Sequence, residues 1–202
     1  MRKIFPRFVN VIPPDLGIIA PRFTIRRMQD PISHLKRLIR DVPDFPKPGI
    51  LFRDISPLLA DAGGLALAIE LLANPYRGKG IDVVVGAESR GFIFGAAVAC
   101  AISAGFQLIR KPGKLPAKRV SMKYDLEYGT DCLEMHEDAI SRGQRVLIID
   151  DVLATGGTMK ACCDLVNHLG GEITGVAVLI ELAALGGRKR VPGQKVHSVL
   201  TY

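Results

Sequence analysis

The apolar run Val146-Leu147-Ile148-Ile149 ends in two adjacent carboxylates, Asp150 and Asp151, and passes through Val152-Leu153-Ala154 into Thr155-Gly156-Gly157-Thr158. Such a run predicts a buried strand, and the small residues after it predict a loop that opens a helix. The free amides of a helix start, with the hydroxyls of Thr155 and Thr158, can hold a phosphate, and Gly156 and Gly157 leave its approach unobstructed. Two neighbouring carboxylates would repel that same anion, but they can accept hydrogen bonds from the vicinal hydroxyls of a sugar. Phosphate at the loop and diol at the acids describe a ribose 5-phosphate. A structural strand–turn–helix, the plainer alternative, would need only one acid as a cap. Neither the P-loop pattern nor the dinucleotide GxGxxG pattern occurs.

A second candidate, Glu88-Ser89-Arg90-Gly91, follows the apolar run Ile81-Asp82-Val83-Val84-Val85 and precedes an apolar helical segment. Its amides and guanidinium could hold another anionic group. Arg110 and Lys111 stand at the end of a short strand and could add charge there. Phe52 lies beside Leu51, Arg53 and Asp54 in a segment bounded by Pro43, Pro46 and Pro48, where an aromatic ring can serve a planar ligand or the core.

These segments together resemble the type I phosphoribosyltransferases. The strand-to-loop segment Val146–Thr158 resembles their phosphoribosyl pyrophosphate signature. The wider chain, from about Asp41 to Leu185, resembles the adenine-specific members through Pro43–Ile55, Ser89–Gly95, Arg110–Pro116 and Leu126–Gly129, in that order. The resemblance implies transfer of a phosphoribosyl group to adenine, releasing AMP and pyrophosphate. It places the ribose phosphate at Asp150, Asp151, Ala154, Thr155, Gly156, Gly157 and Thr158. Pyrophosphate falls to Glu88, Ser89, Arg90, Arg110 and Lys111, with a cis peptide near Glu88-Ser89. Adenine falls to Phe52, to the backbone of Leu51 and Arg53, and to Leu182 on the opposite side. Glu127 and Tyr128, with Arg90, take the catalytic roles, Glu127 toward the purine N7. Mg²⁺ is implied as the cofactor, held through substrate oxygens and water rather than by protein ligands. A homodimer is implied as well. At Ala117–Met122 the chain departs from the Gly- and Glu-containing form of many relatives. A 6-oxopurine enzyme and a non-catalytic regulator that binds nucleic acid are the rival readings; no appended nucleic-acid-binding module supports the latter.

The elements that must position these residues are legible in outline. Asp30-Pro31 starts a helix carrying Ile32, Leu35, Leu38 and Ile39, and a second helix spans about 64–73. Strands are expected at 81–85, 106–109, 145–149, 176–180 and 196–200, the last at an edge, with helices at about 91–104 and 157–169. Apolar strands alternating with helices predict an α/β fold: an open, mainly parallel twisted sheet with helices on both faces. A small hood and a flexible lid loop at about 111–131 complete it. The stretch from Arg110 to Ala139 reads as irregular, with His136-Glu137-Asp138 opening a helix.

With 202 residues, 48% hydrophobic and 23% charged, the chain can build one globular core. Its longest nearly apolar stretch, Phe92–Ile102, is shorter than the roughly 20 residues that cross a bilayer. The net charge of +7 fits either a phosphate-attracting field or a solvated basic surface. Aromatics at 6% and the absence of Trp supply little for stacking along nucleic acid. Cys100, Cys132, Cys162 and Cys163 form no CxxC pair, Cys100 and Cys162 read as core residues, and reduced thiols fit a cytoplasmic protein. Residues 1–27, with Arg2, Lys3, Arg7, Arg22, Arg26 and Arg27 against Asp15 alone, read as a poorly ordered basic extension. An organelle transit peptide is the alternative there. The domain proper is expected at 28–202.

Overall fold

A computed structural model describes residues 30–125 and 130–202. The extension expected at 1–27 and the residues Glu127 and Tyr128, expected in a lid, lie outside the described residues. The described chain opens with α1 (Pro31–Arg37), β1 (Arg40–Val42), β2 (Phe52–Asp54), α2 (Ser56–Ala60) and α3 (Ala62–Ala73). Next come β3 (Val83–Ala87), α4 (Arg90–Ile102), β4 (Gly105–Ile109), β5 (Arg119–Asp125) and β6 (Thr130–His136). The chain closes with β7 (Arg145–Leu153), α5 (Gly157–His168), β8 (Glu172–Glu181) and β9 (Val196–Thr201).

Five parallel strands form the central sheet in the order β4-β3-β7-β8-β9. From β3 the chain steps outward to β4, then crosses back to β7 on the other side. The order therefore reverses between β3 and β7, where open α/β sheets leave a crevice at the carboxyl ends of the strands. Successive side chains of β7 serve opposite faces. Leu147 and Ile149 pack with residues of α1–α4, whereas Val146 and Ile148 pack with α5 and the β5–β6 hairpin. Both faces are thus covered, which accounts for the continuous Val/Ile/Leu runs.

Local chemistry sets the helix starts. Asp30 caps α1 by accepting from the Ser33 amide at 3.0 Å, with Pro31 in the first turn. Asp61 does the same for α3 through the Gly64 amide at 2.6 Å. Two short antiparallel ladders stand outside the central sheet, β1–β2 and β5–β6.

Three sequence expectations are corrected. Much of the segment 110–139 is the regular β5–β6 hairpin rather than irregular chain. Its alternation was hidden among Lys, Ser and Asp, yet Val120, Met122 and Tyr124 turn together onto the α5 side of the core. His136 ends β6 and is followed by a turn, not a helix. Cys100 is exposed, because it sits on the outer face of α4, while Cys162 is buried as expected.

Candidate active site

A cleft of about 310 Å³ opens at the β3–β7 reversal and is lined from Glu88 to Arg90 and from Asp150 to Met159. It brings together, from two distant stretches of chain, Glu88, Ser89, Arg90, Asp150, Asp151, Ala154, Thr155, Gly156, Gly157 and Thr158. β7 runs on to Leu153, further than Ile149, because Val152 and Leu153 pair with Ile180 and Glu181 of β8. The acids therefore belong to a rigid strand rather than to a loop.

Two helices begin at the cleft, α4 and α5, and neither has a side-chain cap or an acid in its first turn. Their first amides remain available at the positive ends of their dipoles, unlike those of α1 and α3. At the α5 start Gly156 has φ +85°, and a Cβ there would lie 2.4 Å from the Gly187 carbonyl oxygen. Only glycine satisfies both conditions. At the α4 start, a Cβ on Gly91 would lie 2.8 Å from Asp150 Oδ1, so the helix can press against the end of β7. The Glu88–Ser89 peptide is cis, as the family resemblance implied.

Asp150 and Asp151 are 8% and 4% exposed. Burial pushes the Asp150 carboxyl well above the ordinary range, and the neighbouring Asp151 charge adds to the rise. Burial also raises Asp151, opposed by Arg90, whose Nε lies 3.0 Å from Asp151 Oδ2. Such a pair favours incoming hydroxyl donors and a nearby cation.

The hood stands beside this cleft. Phe52 packs edge-on to Phe45, centroids 5.1 Å apart, and with Val42 and Asp54 lines a pocket of about 270 Å³. The Arg90 guanidinium lies 5.3 Å from the Phe52 ring centroid. One side chain thus touches both the ring proposed for the base and the acid proposed for the sugar. Leu51 is exposed, while the Arg53 side chain pairs with Asp41 and stacks over Tyr202 at 4.0 Å. Leu182 follows β8, its amide donating to the Leu153 carbonyl at 2.9 Å.

Arg110 and Lys111 do not line the cleft. Glu88 Oε2 accepts from Arg110 Nε at 3.2 Å and from the Lys111 amide at 2.9 Å. That amide bond first, and the Arg110 bond after it, hold the Glu88 carboxyl below its ordinary range. The Lys111 ammonium pairs with Asp131 and lies 3.4 Å from the Tyr124 hydroxyl. The Tyr124 hydroxyl also donates to Asp131 Oδ2 at 3.1 Å. Sequence reasoning passed over Tyr124, Asp131 and Tyr202; the alternation of Val120, Met122 and Tyr124 was the available signal for the first. Val152, Leu153 and Met159 also line the cleft.

Among the described residues no group of three or more His, Cys, Asp or Glu could hold a metal ion.

Residues 56–199 match the phosphoribosyl transferase domain. The adenine phosphoribosyltransferase of Geobacter metallireducens is 57% identical over 171 residues, spanning 85% of this chain and 100% of that protein. The enzyme of the same name from Acidobacterium capsulatum is 59% identical over 168 residues, 83% of this chain and 93% of its own. The crystal structure of adenine phosphoribosyltransferase from Rhodothermus marinus is 54% identical with a TM-score of 0.82, covering 85% of this chain and 98% of that one. The enzyme from Saccharomyces cerevisiae, solved with an imino-altritol bisphosphate and adenine, is 36% identical with a TM-score of 0.80 over 84% of this chain and 98% of its own. With the acid pair, two uncapped helix starts and the neighbouring aromatic hood in place, the chain belongs to the adenine phosphoribosyltransferases of the phosphoribosyl transferase domain family.

Proposed function

We infer that this protein transfers the phosphoribosyl group of 5-phosphoribosyl 1-pyrophosphate to adenine, making AMP and pyrophosphate in purine salvage. The observation that carries the reading is the single cleft in which a buried acid pair faces two uncapped helix starts. The 5-phosphate belongs at the α5 start, against the Thr155 and Thr158 hydroxyls and the Gly156 turn. The ribose diol donates to Asp150 and Asp151, and the pyrophosphate meets the α4 start and Arg90. Arg110 and Lys111 join it by exchanging their internal partners for phosphate oxygens. Phe52 stacks on the base.

In the reaction the adenine N9 lone pair forms the bond to the anomeric carbon, the carbon–oxygen bond breaks with its electrons leaving on pyrophosphate, and the ring loses a proton. Positive charge on the sugar develops beside the carboxylates, which stabilise it. Glu127 is assigned to the purine N7, and Tyr128 to the same closing segment, which excludes water from the reacting carbon. Mg²⁺ supplies charge neutralisation on the leaving group when bound with it.

We place the protein in the cytoplasm as a homodimer, without nucleic acid or membrane among its partners. Exposed Ile93 on α4 and Leu108 on the edge strand β4 support a subunit contact there. No described helix is long and apolar enough to cross a membrane.

Purified protein given adenine, 5-phosphoribosyl 1-pyrophosphate and Mg²⁺ should form AMP and pyrophosphate. Product from hypoxanthine or guanine, with none from adenine, would sink the adenine assignment. Glu127→Ala should lower kcat by roughly 10²–10⁴-fold with little change in KM, the range typical of a positioned acid–base group.

A further inference from the structure

A second and larger cavity, of about 740 Å³, opens at the opposite, amino edge of the central sheet. Its lining draws on the turn after α3, the starts of β7 and β8, Arg188, and the approach to β9. Lys79, Arg145, Arg188, Lys195 and His197 are its basic lining groups, and no carboxylate lines it.

Arg188 is already committed. It grips Glu181 through two bonds of 2.6 Å and donates to the Val196 carbonyl at 2.9 Å. His197 is held by Nε2 at 3.0 Å from the Leu71 carbonyl oxygen. The side chains of Lys79, Arg145 and Lys195 form no ion pair among the described residues. The nearest acids along the chain do not quench them within the cavity. Asp82 is turned to the Arg145 backbone amide at 2.7 Å, and Glu172 aligns with Arg145 across the ladder, but neither lines it.

The sheet itself is irregular here. Val146 aligns with Ile173 and Leu147 with Gly175, so Thr174 has no partner on β7. Bulged positions of this kind re-aim a side chain, and Thr174 contributes to the cavity wall. Like charges converging on a concave surface repel one another unless an anion answers them. The cavity is larger than one phosphate needs and falls within the roughly 300–1,000 Å³ range of small-molecule sites.

We propose that this cavity is a second binding site, for a small ligand bearing several phosphates, separate from the cleft where the reaction takes place. Along β7 the six steps from Arg145 to Asp151 amount to roughly 20 Å at the usual rise of a strand, so a short polyphosphate cannot occupy both. Concavity favours a compact anion over a nucleic-acid strand, which needs an open groove.

Calorimetric titration of the intact protein with inorganic tripolyphosphate tests the assignment, with turnover assayed in parallel. Two equivalents should bind, one displaced by 5-phosphoribosyl 1-pyrophosphate and one not. Lys79→Ala with Lys195→Ala should weaken only the second, by roughly tenfold, as two exposed ion contacts would, and should leave turnover intact. ATP binding the second site more tightly than tripolyphosphate would identify a nucleotide as the source; equal affinity would identify free polyphosphate. A single equivalent, an unchanged double variant, or binding seen only with an oligonucleotide would overturn the proposal.

Discussion

Asp150, inside β7, and Asp54, at the end of β2, are the same residue type, and their surroundings drive them in opposite directions. Asp150 belongs to the central sheet, buried beside Asp151, and its carboxyl is raised well above the ordinary range by burial first and the neighbouring charge second. Asp54 ends a strand of the hood, where the Ser56 hydroxyl and amide, then Arg40, lower it to about 2. Arg40 and Asp41 of the hood are open to solvent, at 62% and 53% side-chain exposure, whereas Arg53 is largely covered. One region stores an unfavourable arrangement, which the proposed sugar would relieve. The other satisfies its acids internally and leaves an aromatic face, proposed for the base.

The contrast is broken most sharply at Gly156→Ala. A Cβ at φ +85° and 2.4 Å from a carbonyl oxygen cannot be accommodated without moving the Thr155–Thr158 loop. We expect kcat/KM to fall by at least ~10²-fold, the scale seen when a preorganised set of donors is displaced, with intact hood spectroscopy. Wild-type kinetics in this variant would mean the loop does not hold the phosphate.

Asp150→Asn sharpens it. The raised carboxyl binds its proton more tightly in the folded than in the unfolded state, so its stabilising contribution is greatest at low pH and is lost as pH rises from the ordinary carboxylate value through the raised one. At neutral pH the neutral amide should therefore raise Tm by about 2–4 °C, the shift that ~1 kcal/mol produces in a domain of this size. The KM for 5-phosphoribosyl 1-pyrophosphate should rise roughly tenfold, the cost of about 1.4 kcal/mol of lost hydrogen bonding. A Tm that falls, or a KM that does not rise, would contradict this stored-strain account of the cleft.

Arg90 joins the two regions, and a double-mutant cycle of Arg90→Ala and Phe52→Leu measures the joint. The coupling in apparent adenine affinity should be about 0.5–1 kcal/mol, the usual size of a cation–π contact at a partly exposed site. Strict additivity would show that the hood and cleft act independently.

The smallest effects belong to the hood's outer charges. Asp54→Asn should lower Tm by no more than about 2 °C at neutral pH, in line with exposed pairs. Its sign is opposite to that of Asp150, because a lowered carboxyl stabilises above its ordinary value and loses that contribution as pH falls toward 2. A drop as large as the Asp150→Asn rise would erase the distinction between the regions.

Much of the cleft was legible before any coordinates. Val146–Thr158 announces a buried strand, acids and a helix start by periodicity and small residues, and Asp30-Pro31 announces α1 by capping chemistry. The β5–β6 hairpin was not legible, since its polar positions, together with Pro112, Gly113 and Pro116 just before it, resemble loop composition, and only packing on α5 shows which face is apolar. Cys100 was misread for a related reason: an apolar helix sequence does not reveal which side another layer will cover.

Residue order alone marked the strands of the central sheet, the start of α1 and the segment proposed to receive a ribose phosphate, because these depend on contacts within a few positions along the chain. The tertiary structure decided that Arg90 would lie between Phe52 and Asp151, that Glu88 would tie up Arg110 and Lys111, and that Thr174 would lose its ladder partner. Those outcomes depend on which strands become neighbours and where the sheet reverses, and contacts between distant segments leave no local pattern to read.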